Sequence, residues 1–317
     1  MDAVSGLRVT VMGLGTRGGG PGVARFLAES GAVVTVTDMR SADDLAEPLA
    51  GLADLPIRFV LGRHDERDFS LDGADMVVRN PGVRRSSPLL RLARSQGVPV
   101  EMEMSLFLRD CPAPAIGITG TKGKTSTAML CGAMLRAWDP TTVIAGNMGV
   151  TALGQLRSIA PDTPVVLELS SWQVEATAEH RLGPHIAVLT NISEDHLDAY
   201  DGFADYAATK RSICVGQSAD DFLVVNADDP EAWRAADETQ ARVVPFGLGD
   251  RGSDGAWVEG RVLVWRRDGR VDRIGIPDRD PLAGDHQARN IAAAAAAALL
   301  RGAPSTSVQA GLERFKG

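Results

Sequence analysis

The stretch Ala115-Ile116-Gly117-Ile118-Thr119-Gly120-Thr121-Lys122-Gly123-Lys124-Thr125 decides the fold of the larger part of this chain. The apolar residues at its start predict a buried strand, and a helical pattern begins after the glycine-rich loop. A loop of this kind directs backbone N–H groups and a helix N-terminus at phosphate groups. The stretch therefore predicts a phosphate-binding loop on an α/β sheet.

The loop has the short form G-T-x-G-K-T, because Ile118 stands where the strict P-loop pattern has its first glycine. We expect Lys124 to reach the outer phosphates of ATP and the Thr125 hydroxyl to hold Mg²⁺. The ATP-binding residues predicted here are Gly120, Thr121, Lys122, Gly123, Lys124 and Thr125. The plainer alternative is a turn that only joins a strand to a helix.

Lysine is scarce in this chain, which strengthens the interpretation of the loop. Of 33 basic residues only four are lysines, namely Lys122, Lys124, Lys210 and Lys316. The guanidinium group of arginine cannot replace the compact ammonium of a lysine that contacts a phosphate. It also cannot replace a lysine amine that is chemically modified. We therefore expect chemical roles for Lys124 and Lys210, whereas Lys316 fits a solvated surface.

Length and composition restrict the possible classes of protein. A chain of 317 residues, 44% of them hydrophobic, can bury two cores. The net charge of −8 argues against nucleic acid and anionic membranes as partners. Three cysteines without metal-type spacing argue against a disulfide framework, and the N-terminus shows no secretion signal. We expect a monomeric cytoplasmic protein that binds neither nucleic acid nor membrane.

Apolar runs alternate with helical patterns along the chain, which is typical of α/β proteins with parallel sheets. The segment Ala256–Ile276 alternates apolar and polar residues, as antiparallel strands do. The segment Cys111-Pro112-Ala113-Pro114 has the composition of a linker, so we predict two domains, residues 1–111 and residues 112–317. Further strands are predicted at Leu7–Met12, Val33–Thr37, Asp75–Arg79, Thr142–Ala145, Pro164–Leu169, Ile186–Thr190 and Phe222–Asn226, and helices at Pro21–Ser30, Asp285–Arg301 and Ser305–Phe315.

A second glycine loop, Gly13-Leu14-Gly15-Thr16-Arg17-Gly18, lies between the first predicted strand and the first predicted helix. Asp38 ends the second predicted strand, so the pattern fits the Rossmann fingerprint for dinucleotides. The loop continues as Gly19-Gly20-Pro21-Gly22, which is longer than a dinucleotide turn requires. From the pattern alone, NAD binding and a turn that only packs a helix on a strand both remain open.

Polar residues follow three predicted strands of the second domain, where open α/β sheets place their ligand sites. These clusters are Gly146–Gly149, Glu168–Gln173 and Asn191–Asp198. The carboxylate of Glu168 suits a Mg²⁺ ion on phosphates, and the imidazole of His196 could complete a second metal site. Taken singly, Glu168 could instead cap a helix, and His196 could be an ordinary loop histidine.

Together these segments resemble the Mur ligase superfamily, and the Glu168–Gln173 motif looks most like its D-glutamate-adding branch. The resemblance implies an α/β protein with a Rossmann-like N-terminal domain and a P-loop, Mur-ligase-type central ATPase domain. It also implies a third domain that would begin after Gly317 and is absent from this chain. The matching segments are Gly13–Gly18, Asp38–Arg40, Asn80–Gly82, Gly120–Thr125, Asn147, Glu168–Gln173, Asn191–His196, Lys210 and Gly284–Asn290.

The resemblance implies that the first domain binds the uridine nucleotide of a cell-wall precursor instead of NAD. The uracil would contact Asp38, Met39 and Arg40. The sugar and diphosphate would lie near Gly13, Leu14, Gly15, Thr16, Asn80, Pro81 and Gly82.

The resemblance also assigns roles in the central domain. Catalytic roles are implied for Lys124, Asn147, His196 and Lys210. Metal ligands are implied at Thr125, Glu168, His196 and, once it is carbamylated, Lys210. Substrate contacts are implied at Asn147, Ser170 and His196, and an ATP contact at Asn290.

The implied reaction is ATP-dependent amide bond formation in peptidoglycan biosynthesis, in which D-glutamate is added to UDP-N-acetylmuramoyl-L-alanine through an acyl phosphate. ATP and Mg²⁺ would be the cofactors. Gln287 stands where the family commonly has asparagine, so contacts near the adenine are expected to differ. Because the acceptor site belongs to the third domain, this chain alone is expected to bind ligands but to turn over poorly.

Alternative functions remain open at the level of the sequence. The chain could add L-alanine or another amino acid, as other Mur ligases do, or it could be a non-catalytic protein that binds nucleotides or precursors. A nicotinamide-dependent oxidoreductase built on the first glycine loop is a further alternative, but it leaves the phosphate loop and Lys210 without a role.

Overall fold

The computed structural model describes residues 4–16, 19–147, 151–196 and 198–316. The chain divides into two compact units. The first comprises Met1–Asp110 and Gly149–Ser158, and the second comprises Cys111–Met148 and Ile159–Gly317. The sequence analysis did not anticipate that a short segment after Asn147 belongs with the first unit.

The first unit contains a parallel sheet. Its strands are β1 Arg8–Met12, β2 Val33–Asp38, β3 Arg58–Leu61, β4 Met76–Arg79 and β5 Val100–Glu101. They lie in the order β3-β2-β1-β4-β5, and every neighbouring pair runs parallel. This is the strand order of the Rossmann fold, so the predicted Rossmann-like domain is confirmed. Strands β3 and β5 were not predicted from the sequence.

Helices and 3-10 turns connect these strands. They are α1 Gly19–Glu29, α2 Ala46–Ala50, α3 Pro88–Ser95 and α4 Glu103–Asp110, with 3-10 turns at Glu66–Phe69 and Leu153–Ser158. The buried face of α1 carries Val23, Ala24, Phe26 and Leu27 at helical spacing. Helix α1 directly follows the glycine loop, so burial of this face fixes the direction in which the loop leaves the sheet.

The segment that includes Leu153–Ser158 is anchored to the first unit by Glu103. One carboxylate oxygen of Glu103 accepts hydrogen bonds from the Thr151 hydroxyl and from the backbone N–H of Ala152, each at 2.6 Å. Burial raises the pKa of the Glu103 carboxyl, while these hydrogen bonds oppose the rise. The contacts join residues about fifty positions apart, and no local sequence pattern indicates them.

The second unit contains a nine-stranded sheet. Its strands are β6 Ala115–Thr119, β7 Val143–Gly146, β8 Val165–Glu168, β9 Ile186–Leu189, β10 Phe222–Asn226, β11 Arg242–Leu248, β12 Gly255–Glu259, β13 Val262–Arg267 and β14 Arg270–Gly275. The order is β14-β13-β12-β11-β10-β9-β6-β8-β7. Strands β6 to β12 run parallel, whereas β12, β13 and β14 pair antiparallel, as the alternation in Ala256–Ile276 predicted.

The helices of the second unit pack the phosphate loop onto this sheet. They are α5 Lys124–Arg136, α6 Ser171–Glu179, α7 Phe203–Arg211, α8 Pro230–Trp233, α9 Ala235–Glu238, α10 Asp285–Leu300 and α11 Ser305–Arg314. The alanine run Ala292–Ala298 of α10 is fully buried, because small side chains let the helix approach α5 and the sheet closely. Among the described residues, no helix has the length and apolar character needed to cross a membrane.

Candidate active site

The phosphate loop, residues 120–123, connects the buried strand β6 to helix α5. Gly123 caps the helix with φ +82°, and no side chain of the described residues caps its N-terminus. The first N–H groups of a helix have no partner inside the helix. The N-terminus of α5 is therefore available for an anion at the carboxyl edge of the sheet.

Two positions of this loop require glycine, because neighbouring atoms leave no space for a side chain. A Cβ atom on Gly120 would lie 1.9 Å from the Thr190 hydroxyl oxygen, and one on Gly123 would lie 2.5 Å from Oδ1 of Asn290. Both distances are far shorter than any contact a methyl group can make. The glycines thus let β9 and α10 approach the loop closely and hold its shape.

The end of strand β9 also holds the phosphate loop by hydrogen bonds. The backbone N–H of Thr121 donates to the Asn191 carbonyl, and that of Lys122 donates to Asn191 Oδ1, both at 2.9 Å. The Thr190 hydroxyl donates to the Lys122 carbonyl at 2.8 Å. Sequence analysis placed Asn191 in a polar cluster but did not identify this supporting role, and it missed Thr190.

Lys124 lies folded over the loop that precedes it. Its ammonium donates a hydrogen bond to the Thr121 carbonyl at 2.9 Å. Burial lowers the pKa of Lys124, and the nearby carboxylates of Glu168 and Asp195 partly offset this. A half-buried ammonium next to free helix N–H groups is suited to the outer phosphates of a nucleotide.

Glu168 ends strand β8 and is one of the most buried carboxylates of the second unit, with 2% of its surface exposed. The Thr125 hydroxyl donates to one carboxylate oxygen at 2.8 Å, and the Asn147 amide donates to the other at 3.1 Å. The structure thus brings together three residues that the sequence analysis placed in one site.

This oxygen-rich set fits a Mg²⁺ ion that is shared with nucleotide phosphates. Among the described residues, no group of three or more histidine, cysteine, aspartate or glutamate side chains could hold a metal by itself. Mg²⁺ needs no such cage, because it commonly takes one or two carboxylates and completes its shell with phosphates and water. Thr125 and Glu168 supply a hydroxyl and a carboxylate of the required kind.

Lys210 is buried on helix α7, with 2% of its surface exposed. Its ammonium donates to the Thr119 hydroxyl at 3.3 Å and lies 5.5 Å from the centre of the Tyr206 ring. Burial is the main cause that lowers its pKa to about 7, and the positive charge of Lys124 lowers it further. An amine that is partly uncharged at neutral pH can react with CO₂, which suits the predicted carbamylation.

Tyr206 links this helix to the phosphate loop and was not identified from the sequence. Its hydroxyl lies 3.2 Å from the Thr121 hydroxyl, and its ring packs edge-on against Tyr200. A tyrosine one helical turn before Lys210 is the signal that could have indicated it, since the two side chains share a helix face.

His196 lies in an exposed loop and has a left-handed backbone conformation with φ +51°. Its ring packs against Trp172 with centroids 4.9 Å apart, and its Nε2 lies 3.6 Å from a carboxylate oxygen of Asp195. The contacts found among the described residues do not bring His196 to Glu168 or Lys210. Its role as a substrate and metal ligand remains a prediction.

Ser170 has a structural role in this chain. Its hydroxyl accepts a hydrogen bond from the backbone N–H of Gln173, and the Gln173 side chain accepts one from the Ser170 N–H. This capping box starts α6 immediately after Glu168 and fixes the end of strand β8. The proposed substrate contact of Ser170 stays untested.

Asn290 lies at the start of α10 beside the phosphate loop. Its Oδ1 accepts a hydrogen bond from the Thr127 hydroxyl at 3.3 Å, and its Nδ2 donates to Gln287 at 3.0 Å. Gln287 and His286 line a cavity of about 410 Å³ that reaches Thr125. A cavity of this size next to the loop can take a nucleoside.

In the first unit, Asp38 closes the glycine loop. Its carboxylate accepts hydrogen bonds from the backbone N–H groups of Leu14 at 2.9 Å, Gly15 at 3.2 Å and Arg40 at 3.0 Å. Gly13 and Gly15 both have positive φ, so the loop can turn back onto this carboxylate. The sequence analysis placed Asp38 at the end of the second strand, with an implied uracil contact, but did not predict that it binds the loop backbone.

The remaining predicted contacts of the first unit surround this loop. Met39 is 63% exposed, which is unusual for a methionine and leaves its side chain available to a ligand. Asn80 follows β4, and its side-chain oxygen accepts a hydrogen bond from the Gly82 N–H at 3.1 Å, so the turn through Pro81 is ordered. The predicted loop residues Arg17 and Gly18, and Met148 and Gly149 of the second cluster, lie outside the described residues.

Fold and site together define a class of protein: an α/β protein with a Rossmann unit and with a second unit that carries a phosphate-loop motif between β6 and α5. Family models identify it further. The model of the Mur ligase middle domain matches residues 118–298, and that of the Mur ligase MurD-like N-terminal domain matches residues 7–101. The chain belongs to the Mur ligase family, as the sequence resemblance predicted.

Two curated relatives carry the same name, UDP-N-acetylmuramoylalanine--D-glutamate ligase. The protein from Roseiflexus sp. (strain RS-1) is 47% identical over 324 residues, covering 99% of this chain and 69% of the relative. The protein from Trichlorobacter lovleyi is 42% identical over 310 residues, covering 98% of this chain and 68% of the relative.

Solved structures of other Mur-type ligases share the fold. UDP-N-acetylmuramate:L-alanyl-gamma-D-glutamyl-meso-diaminopimelate ligase from Neisseria meningitides superposes with a TM-score of 0.66 at 18% identity, covering 99% of both chains. UDP-N-acetylmuramate-alanine ligase MurC from Thermotoga maritima superposes with a TM-score of 0.56 at 23% identity, covering 98% of this chain and 69% of that one. At these identities the likeness establishes the fold alone.

Proposed function

We propose that this chain binds the nucleotide and the precursor in an ATP-dependent ligase reaction that adds D-glutamate to UDP-N-acetylmuramoyl-L-alanine in peptidoglycan biosynthesis. The main support for the proposal is the site formed by Lys124, Thr125 and Glu168 near the end of β8. The buried amine of Lys210 lies in the same unit. The names of relatives 47% and 42% identical specify the substrates.

The reaction begins when the alanyl carboxylate of the precursor attacks the γ-phosphate of ATP. An acyl phosphate and ADP form, and the amine of D-glutamate then attacks the acyl carbon and releases phosphate. The N-terminus of α5 and the ammonium of Lys124 would bind the phosphates and stabilise the charge that develops on the transferred group. Positioning the carboxylate in line with the γ-phosphate is the other main contribution of the protein.

Mg²⁺ is proposed as the cofactor, held by Thr125 and Glu168. When bound, it would neutralise charge on the phosphate oxygens. The Asn147 amide contacts Glu168, so it would orient that carboxylate. Carbamylated Lys210 would add a further carboxylate-like metal ligand, and His196, in the loop after β9, is the proposed ligand of a second Mg²⁺.

Calorimetric titrations test the assignment of the precursor. We expect tighter binding of UDP-N-acetylmuramoyl-L-alanine than of UDP-N-acetylmuramate, and no binding of NAD. Preference for the precursor without alanine would move the chain to the alanine-adding ligases. Binding of NAD alone would contradict the proposed function of the first unit.

A pair of lysine variants tests the phosphate loop. Lys124→Ala should reduce ATP affinity by more than tenfold, because one charge-assisted hydrogen bond contributes about 1.5–3 kcal/mol. Lys316→Ala is the matched control, since the Lys316 side chain is exposed and lies outside the predicted phosphate loop. Equal losses in both variants would show a general effect of charge and count against the role of Lys124.

A further inference from the structure

His64 lies beside the predicted uridine site of the first unit, in the loop after β3. Its Nδ1 is 2.7 Å from the Thr37 hydroxyl oxygen, and Thr37 directly precedes Asp38. The ring packs edge-on against Phe69, with centroids 5.9 Å apart. The Gly62 N–H donates to the Arg40 carbonyl, so this loop is tied to the segment that follows β2.

The two contacts of the Thr37 hydroxyl favour the tautomer in which Nδ1 of His64 carries the proton. The Thr37 hydroxyl lies 3.2 Å from the Arg63 carbonyl, which can only accept a hydrogen bond. With its proton directed there, the hydroxyl oxygen accepts from Nδ1–H of His64. The neutral ring then presents Nε2 as a hydrogen-bond acceptor, and Nε2 has no hydrogen-bond partner among the described residues.

Partial burial favours the neutral form of this ring. It lowers the pKa of His64 below its usual value, while the negative charge of Asp38 acts in the opposite direction and is the smaller effect. Near neutral pH, Nε2 therefore has a free lone pair.

Asp38 itself has little capacity left for a ligand. A carboxylate offers about four acceptor positions. Three are taken by the backbone N–H groups of Leu14, Gly15 and Arg40, and the guanidinium Nε of Arg40 lies 3.4 Å from the same carboxylate. A donor on a bound base would therefore need another acceptor nearby.

The strand order places His64 at the base end of such a ligand. The diphosphate is expected at the glycine loop after β1 and at the Asn80–Gly82 turn after β4, which are neighbours in the sheet. A nucleotide that extends from there across the end of β2 has its base near the end of β3, where His64 lies.

We propose that His64 recognises the base, with Nε2 accepting a hydrogen bond from the imide N3–H of uracil. The inference rests on the proposed function of the first unit as a uridine-nucleotide site. Uracil carries a hydrogen on N3, whereas cytosine presents a lone pair there. His64 thus makes the site select UDP over CDP.

Two isosteric variants separate recognition from structure. His64→Asn keeps a donor where Nδ1 reaches Thr37 but removes the acceptor, and His64→Gln keeps an acceptor near the position of Nε2. Calorimetry with UDP and CDP should show that His64→Asn lowers UDP affinity about tenfold, as expected for one hydrogen bond, with little change for CDP. His64→Gln should retain most of the preference for UDP.

Arg63→Ala is the control variant. The Arg63 side chain is exposed, and its carbonyl contact with Thr37 is kept, so loss of its charge should weaken UDP and CDP equally. ATP affinity and thermal midpoint, measured for every variant, report on the fold. An unchanged ratio of UDP to CDP affinity in His64→Asn would overturn the role of His64. Failure of the unsubstituted chain to bind UDP would instead contradict the function of the first unit.

Discussion

Lys210 and Lys124 show how two lysines in one site change each other's chemistry. Lys210 is buried, and the charge of Lys124 is the second cause that lowers its pKa to about 7. An arginine in either place would stay charged at any accessible pH and could not react with CO₂. A lysine therefore has a chemical reason to occur at position 210, in a chain that otherwise contains few lysines.

We predict that Lys210 is carbamylated and that the modified fraction increases with pH. CO₂ reacts with the neutral amine, which becomes the majority form only above the pKa of about 7. With ¹³C-labelled bicarbonate, a carbamate NMR signal should grow from pH 6 to pH 8.5. Lys210→Arg should abolish the signal, whereas Lys316→Arg should leave it unchanged; a signal that survives Lys210→Arg would contradict the assignment.

Some site residues could be predicted from the sequence because their local motif is informative. Lys124, Thr125 and Glu168 follow from a glycine-rich turn and a carboxylate at a strand end, and the structure brings them together. The contact of Tyr206 with Thr121 joins positions 85 residues apart, so only the fold brings it about. Likewise, the backbone contacts of Asp38 depend on positive φ at Gly13 and Gly15, which no pattern specifies.

At the scale of the element, the phosphate loop is the segment whose shape depends most on its glycines. Gly123 has φ +82° and faces Asn290 at a distance that excludes a methyl group. Gly249 has the same φ of +82°, but nothing lies within 4 Å of its Cβ position. Alanine substitutions at these two glycines therefore distinguish the effect of backbone strain from the effect of steric contact.

We predict that Gly123→Ala weakens ATP binding more than tenfold and lowers the thermal midpoint more than Gly249→Ala does. Both substitutions place alanine at positive φ, which costs about 1 kcal/mol. Only the first also displaces Asn290 and the N-terminus of α5. Thermal unfolding and ATP titration of both variants measure the difference, and equal effects would mean that the contact with Asn290 does not restrain the loop.

Several strands that sequence analysis found have unbroken apolar runs. Ile186–Leu189 and Phe222–Asn226 are entirely buried and have few polar residues. The sequence analysis did not predict β11, Arg242–Leu248, because Pro245 lies inside it and proline normally argues against an inner strand. Strand β3 has only four residues, too few for a periodic signal.

At the scale of the whole molecule, ligand binding is assigned to two units with separate sheets. The proposed uridine site lies at the ends of β1, β2 and β4, and the proposed ATP site at the ends of β6, β8 and β9. Each set of residues is held by hydrogen bonds within its own unit. A substitution in one site should therefore change ligand affinity at that site and leave affinity at the other site unchanged.

We predict that Asp38→Ala weakens binding of the uridine precursor more than tenfold and leaves ATP affinity unchanged. The substitution removes the acceptor that holds Leu14 and Gly15, so the glycine loop loses the shape in which its N–H groups can face a diphosphate.

Glu168→Ala should have the reverse effect, weakening ATP binding and leaving affinity for the precursor unchanged, since it removes a carboxylate that suits Mg²⁺ and leaves the first unit intact. Titration of each variant with both ligands, with and without Mg²⁺, tests the division, because loss of both ligands in either variant would refute two separate sites. The loss in Glu168→Ala should appear only when Mg²⁺ is present, since metal-free ATP would still be held by Lys124 and the N-terminus of α5.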